Sequence, residues 1–108
     1  MAKFEKTVNL PLSQTVSKVE NAVLSGSMTA SLEESSDFST GTARVAVRVF
    51  ERYSFLGSNR VSMSVTMVSA GTGTHICAIT AGGSQAMFWK INTVGEDAFL
   101  DTLREAFE

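Results

Sequence analysis

The chain has 108 residues, of which 44% are apolar and 19% charged, and its net charge is −2. This length fits a single domain over residues 1–108, large enough to bury a core without metal or disulfide support. One proline and no apolar run of membrane-spanning length exclude a proline-rich linker and a transmembrane helix. An N-terminus without an apolar signal core and the single Cys77 favour the reducing cytoplasm.

The first third of the chain predicts a strand followed by a helix. Apolar residues at even positions between Lys3 and Leu10 indicate the strand. Pro11 suits the first turn of a helix, because its fixed φ is helical and its missing N–H is not needed there. Apolar residues then recur at helical spacing, at Leu12, Val16, Val19 and Val23. Gly26 is placed to end the helix.

From Met28 the apolar period changes to two, which predicts consecutive strands. Turn residues at 37–41, 57–59 and 71–73 separate them. The residues expected to face the helices are Met28, Val45, Val47, Val49, Met63 and Met67. The segment 74–81 has two apolar faces, so its facing stays open. A short aromatic segment, Met87–Ile91, suits a last strand after the Gly82–Ser84 turn.

The C-terminal segment predicts an amphipathic helix. Thr93 and Glu96 have the spacing of a capping box, in which each side chain binds the other residue's free backbone N–H. Phe99, Leu103 and Phe107 follow at four-residue intervals and form one apolar stripe.

The predicted order is β-α-β-β-β-β-β-α. Short connections between strands favour an antiparallel meander of five to six strands, with both helices on one face, in a two-layer α+β fold. This order resembles the helix-grip domains of the START and pollen-allergen type, which bind lipids and hormones. The chain also resembles small bacterial families of unknown function. The helix-grip resemblance implies a ligand cleft between helices and sheet.

An apolar cleft is one candidate for function. Six strands span ~24–29 Å, whereas two helices cover ~20 Å, so about one strand's width stays uncovered. A ligand, long side chains or a second subunit must fill it. The residues expected at such a cleft are Glu51, Met63, Met67 and Trp89. Ordinary core filling is the alternative for the methionines, and a β-bulge near Phe50 is the alternative for Glu51.

Arg44, Arg48 and Arg52 share one face of a predicted strand, because side chains alternate along it. Such a stripe can bind an anion, or it can be a solvated sheet face. The negative net charge and the scarcity of interleaved aromatic residues argue against a nucleic-acid partner.

Catalytic chemistry has weak support. His75 and Cys77 lie two apart on a strand, roughly 7 Å from each other, which is long for a nucleophile–base hydrogen bond. Two ligands are too few for a structural zinc site, and no cofactor is implied. We therefore expect a non-catalytic, self-associating homodimer. A binder of a small apolar or amphipathic ligand is the alternative, and an enzyme using Glu51 or His75 and Cys77 is the weakest.

Overall fold

The computed structural model of the protein describes residues 1–53, 60–82 and 89–108, with only the backbone described for 89–94. Within these residues the order is β1(Ala2–Val8), α1(Leu12–Ser25), β2(Ser31–Thr40), β3(Ala43–Tyr53), β4(Arg60–Ser69), β5(Thr74–Gly82) and α2(Trp89–Ala106). The strands form one antiparallel sheet in the order β1-β5-β4-β3-β2. This confirms the predicted α+β class with a meander from β2 to β5.

Helix α1 connects the two edges of the sheet. Because β1 pairs with β5, β1 and β2 lie at opposite edges, four strand spacings or ~19 Å apart. The 14 residues of α1 span ~21 Å, enough to cross this width. Pro11 precedes the helix in an extended conformation, and the Gly26 N–H closes it on the carbonyl of Ala22.

The core lies between the sheet and the two helices. We name the sheet face that packs against the helices the inner face, and the opposite face the outer face. Strands contribute alternate residues to the core, and each helix contributes one stripe. The fully buried members are Val19, Val23, Phe50, Val61, Met63, Val65, Met67, Ile76, Ala78, Phe99, Leu100 and Leu103.

Strand β3 faces the opposite way from the prediction. Ala46 pairs with Met67 and Phe50 pairs with Met63, so the even-numbered residues of β3 share the inner face with the buried methionines. Val45, Val47 and Val49 are therefore on the outer face. The odd-numbered face of β3 is the more apolar one in sequence, but the register with β4 buries the even-numbered face, on which Ala46 and Phe50 alternate with arginines.

The beginning of the meander also differs from the expectation. Strand β2 begins at Ser31, and Met28 is fully exposed in the connection between α1 and β2 rather than inside the sheet. The register of β2 with β3 shifts between Leu32 and Glu34. A β-bulge of β3 near Phe50, the alternative explanation for Glu51, is not observed, because the register of β3 with β4 is continuous and the extra residue lies in β2.

Helix α2 begins earlier than predicted. It starts at Trp89, so 89–91 is helical and not strand, while 83–88 lies outside the described residues. The Thr93–Glu96 pair lies within the helix and not at its start, where a capping box would stand. Instead, the buried carboxylate of Glu96 accepts the Gly82 N–H and pairs with the amino group of Met1. This carboxylate joins α2 to β5 and β1.

In the part of the chain that the structure describes, no helix has the length and apolar character needed to cross a membrane.

Candidate functional site

The three arginines of β3 do share one face, but it is the inner face, and each has a different environment. Arg48 is 8% exposed at the margin of the core. Its Nε donates to Glu20 of α1 at 2.8 Å, and its Nη1 donates to Asp37 of β2 at 3.0 Å. Burial, the largest effect, lowers the pKa of Arg48, but hydrogen bonds and charges of Asp37 and Glu20 outweigh it and raise that pKa. Two carboxylates therefore already neutralise Arg48.

Arg44 and Arg52 lie at the two ends of this stripe. Arg44 is exposed and borders an open cleft of about 260 Å³ beside Leu12 and Val16 of α1. Arg52 is half-buried, with its guanidinium 4.8 Å from the centre of the Phe99 ring. The stripe is thus one ion-paired arginine between two others, and the structure does not bring the three guanidinium groups to one anion.

The residues expected at an apolar cleft do not come together. Met63 and Met67 are fully buried in the core. Glu51 lies on the outer face, opposite Ser62, where its carboxylate pairs with Arg60 at 3.2 Å. Trp89 begins α2, and its side chain lies outside the described residues. Glu51 therefore has an ionic partner on the face away from the helices.

The outer face is the largest feature that the helices leave uncovered. Its centre is formed by valines of β3 and by hydroxyl and apolar residues of β4 and β5. These central residues are Val47, Val49, Ser62, Ser64, Thr66, Val68, Cys77 and Ile79, while Val45 on the same side of β3 is buried at 8% exposure. None of them carries a formal charge at neutral pH, and Ile79 is 40% exposed. Phe38 of β2, which pairs with Val45, is 50% exposed and extends the apolar area.

Charged residues surround this centre. Glu5 of β1 and Glu34 of β2 lie on the two edge strands, and the Glu51–Arg60 pair lies at one end. An apolar, uncharged centre inside a polar rim is the arrangement of protein–protein interfaces. A sheet ~24 Å wide and ~30 Å long presents roughly 700 Å² in projection, close to the ~800 Å² that each partner buries in a standard interface.

His75 and Cys77 both face outward, as their spacing requires, and Glu5 lies between them. The Cys77 thiol donates to the Glu5 carboxylate at 3.5 Å, and His75 Nε2 lies 3.4 Å from the other oxygen of that carboxylate. Thr7 Oγ1 is 2.9 Å from His75 Nδ1. Burial and the Glu5 carboxylate raise the pKa of the thiol. These contacts favour a protonated thiol, whereas a nucleophile needs thiolate.

Sequence reasoning missed Glu5, Glu20 and Asp37 as partners of the candidate residues. Glu20 and Asp37 lie on different elements from Arg48, and Glu5 lies about 70 positions from Cys77, so local spacing holds no signal for them. Only the pairing of β1 with β5 could have placed Glu5 beside His75 and Cys77. Within the described residues, no group of three or more His, Cys, Asp or Glu side chains is arranged to hold a metal ion.

Comparison with solved structures finds a distant similarity. The chain is similar to the crystal structure of TTHA0849 from Thermus thermophilus, with 9% identity over 97% of this chain and 94% of that one. The TM-score is 0.30, which is too low to support an argument about fold or function. The helix-grip resemblance therefore stays an expectation. No curated protein matches the sequence.

Comparison with protein families assigns the whole length of the chain to one family. The model of a family of unknown function, DUF6054, matches residues 1–108. This confirms the expected resemblance to a small domain of unknown function. The chain belongs to the DUF6054 family.

Proposed function

We propose that the protein is a non-catalytic module that forms a homodimer by packing the outer faces of two sheets against each other. The observation that carries this proposal is the uncharged centre of the outer face, left bare because both helices lie on the inner face. The lone thiol of Cys77 suits a reducing, cytoplasmic place for this dimer.

The composition of the face supports association. Two sheets packed face to face lie ~10 Å apart with side chains in contact, and the half-buried Val47, Val49 and Val68 can fill that space. Each Å² of apolar surface removed from water contributes about 25 cal/mol, whereas an unpaired buried charge would oppose association. The charges at the rim can stay in water when the centre is covered.

Ser64 is the position at which this proposal is most easily tested. It is exposed at the middle of β4, between Val49 on β3 and Ile79 on β5. Size-exclusion chromatography with light scattering should give about twice the 11.6 kDa chain mass for the wild type. A Ser64→Arg variant should give 11.6 kDa, because it places a charge in the centre of the interface.

The control is Gln14→Arg, which makes the same charge change at an exposed position on α1. This variant should remain a dimer. A wild-type mass of 11.6 kDa at all concentrations, or a dimer that survives Ser64→Arg, would refute the proposal. The melting temperature gives a second measurement, since it rises with protein concentration for a dimer and is constant for a monomer.

A further inference from the structure

The guanidinium of Arg52 lies on the inner face of the sheet, which the proposed homodimer does not use. Its Nε is buried, and within the part of the chain that the structure describes this side chain has neither a hydrogen-bond partner at Nε nor an ion pair. The neighbouring carboxylates have other partners, since Glu51 pairs with Arg60 and Glu96 accepts the Gly82 N–H. Burial without a compensating carboxylate lowers the pKa of Arg52. Among the described residues, no carboxylate therefore compensates this positive charge in its partly dehydrated place.

A cavity of about 360 Å³ lies beside this arginine. Arg52 and Tyr53 of β3 line one side, and the connection between α1 and β2 lines the other through Ser27, Met28 and Thr29. The Tyr53 N–H donates to Thr29 Oγ1 at 3.3 Å and so ties the connection to the end of β3. This size lies within the range of small-molecule sites.

The walls of the cavity combine apolar and polar groups. The thioether of Met28 is fully exposed and the Tyr53 ring is 57% exposed, although both side chains are apolar over most of their surface. Arg60 of β4 lies 5.6 Å from the centre of the Tyr53 ring, and its charge is paired with Glu51. The hydroxyls of Ser27 and Thr29 can donate to a bound oxygen.

We propose that this cavity binds a small amphipathic carboxylate, with the carboxylate at Arg52 and a short apolar chain against Met28 and Tyr53. A guanidinium matches a carboxylate in geometry and charge, and such charge-assisted hydrogen bonds are stronger in a partly buried site. Flexible methionine accepts apolar chains of varied shape. The cavity lies at the end of β3, away from Ser64 and the other residues at the centre of the outer face, so the proposal does not depend on the homodimer.

Hexanoate is the probe for this site. Hexanol and acetate are the controls, which test the apolar chain and the carboxylate of the probe separately. In an NMR titration, hexanoate should shift the backbone amide signals of 26–30 and of Arg52 and Tyr53. At equal concentrations hexanol, which lacks the charge, and acetate, which lacks the chain, should bind about tenfold more weakly. The Ser64→Arg variant should bind hexanoate like the wild type.

Two variants test the roles of the walls. Arg52→Gln removes the charge and should weaken hexanoate binding about tenfold or more, while Arg44→Gln on the same strand should leave it unchanged. Met28→Glu adds a repelling charge at a fully exposed position, so it should weaken binding without affecting folding. The proposal is wrong if hexanoate leaves these amide signals in place, if Arg52→Gln binds as tightly as the wild type, or if acetate and hexanol match hexanoate.

Discussion

The guanidinium of Arg48 lies where the apolar core ends and the uncovered strand β2 begins. It binds Glu20 of α1 and Asp37 of β2. It thereby joins these two elements, which share no large apolar contact within the described residues. Its carboxylate partners are 32% and 64% exposed, so they keep part of their hydration. An arginine at this margin contributes to the stability of the fold through several hydrogen bonds to partly solvated carboxylates.

Replacing Arg48 should therefore destabilise the fold by a limited amount. Arg48→Met removes charge-assisted hydrogen bonds to two carboxylates, and we expect the free energy of unfolding to fall by about 1–3 kcal/mol. Urea denaturation measures this change. Arg44→Met, at an exposed position on the same strand, is the matched control and should change stability by less than about 0.5 kcal/mol. Equal effects would contradict the role assigned to the Arg48 ion pairs.

The raised pKa of the Cys77 thiol predicts how the stability of the fold changes with pH. Burial and Glu5 raise its pKa above the ordinary value of 9.0, so the folded thiol keeps its proton to higher pH than the unfolded one. Stability from this group is complete below 9.0 and is lost as the pH rises towards the folded pKa.

Alkylation by iodoacetamide measures this difference, because only the thiolate reacts. The midpoint of the rate against pH should lie higher for the native protein than for the protein in urea. Glu5→Gln should move the native midpoint down, because it removes the carboxylate that accepts the thiol hydrogen. A native midpoint at or below the urea midpoint would show that the pKa is not raised.

Among the elements, the hairpin of β2 and β3 depends on a single backbone conformation. Gly41 connects the two strands with φ of +59°, in the left-handed region that residues with a Cβ rarely adopt. Space is not the constraint there, since a Cβ at this position would have no neighbour within 4 Å.

Two glycine substitutions separate backbone strain from crowding. Gly41→Ala should lower the free energy of unfolding by about 1 kcal/mol, because alanine must adopt the strained φ. Gly71 also has no neighbour within 4 Å but lacks the positive φ, so Gly71→Ala should be neutral or slightly stabilising. Thermal unfolding of the two variants gives the comparison. A loss from Gly71→Ala as large as that from Gly41→Ala would contradict this explanation.

The elements also differ in how well the sequence predicts their position and facing. The stripe of Leu12, Val19 and Val23 predicted α1 because only one face of it is apolar. Strand β3 has valines on one face and Ala46 and Phe50 among three arginines on the other, so its own pattern favoured burial of the valines, and only the register with β4 shows the opposite. The start of α2 was missed because apolar and aromatic residues at 87–91 suit a strand as well as a helix.

At the scale of the whole molecule, the placement of the two helices decides which surfaces of the sheet can serve as sites. Both helices lie on the inner face, and nine of the ten residues of β2 are exposed. Strand β2 is thus left exposed, but its residues are mostly polar, with Leu32 and Phe38 the large apolar ones, so it does not form the apolar cleft that was expected. The expectation that Met63 and Met67 face the helices places Ser62, Ser64 and Thr66 on the outer face, and the strand pairing agrees. The valines of β3 beside them could be placed only once the register was known.

The position of β1 has a consequence for the order of folding. The strands from β2 to β5 are joined in sequence, so each pair can form as a hairpin with a small loss of chain entropy. Strand β1 instead pairs with β5 across a separation of about 70 residues, as in the contact of Thr7 with His75. Such distant pairing raises the contact order and slows folding. The meander can therefore assemble first, and β1 can join it only after α1 has crossed the sheet.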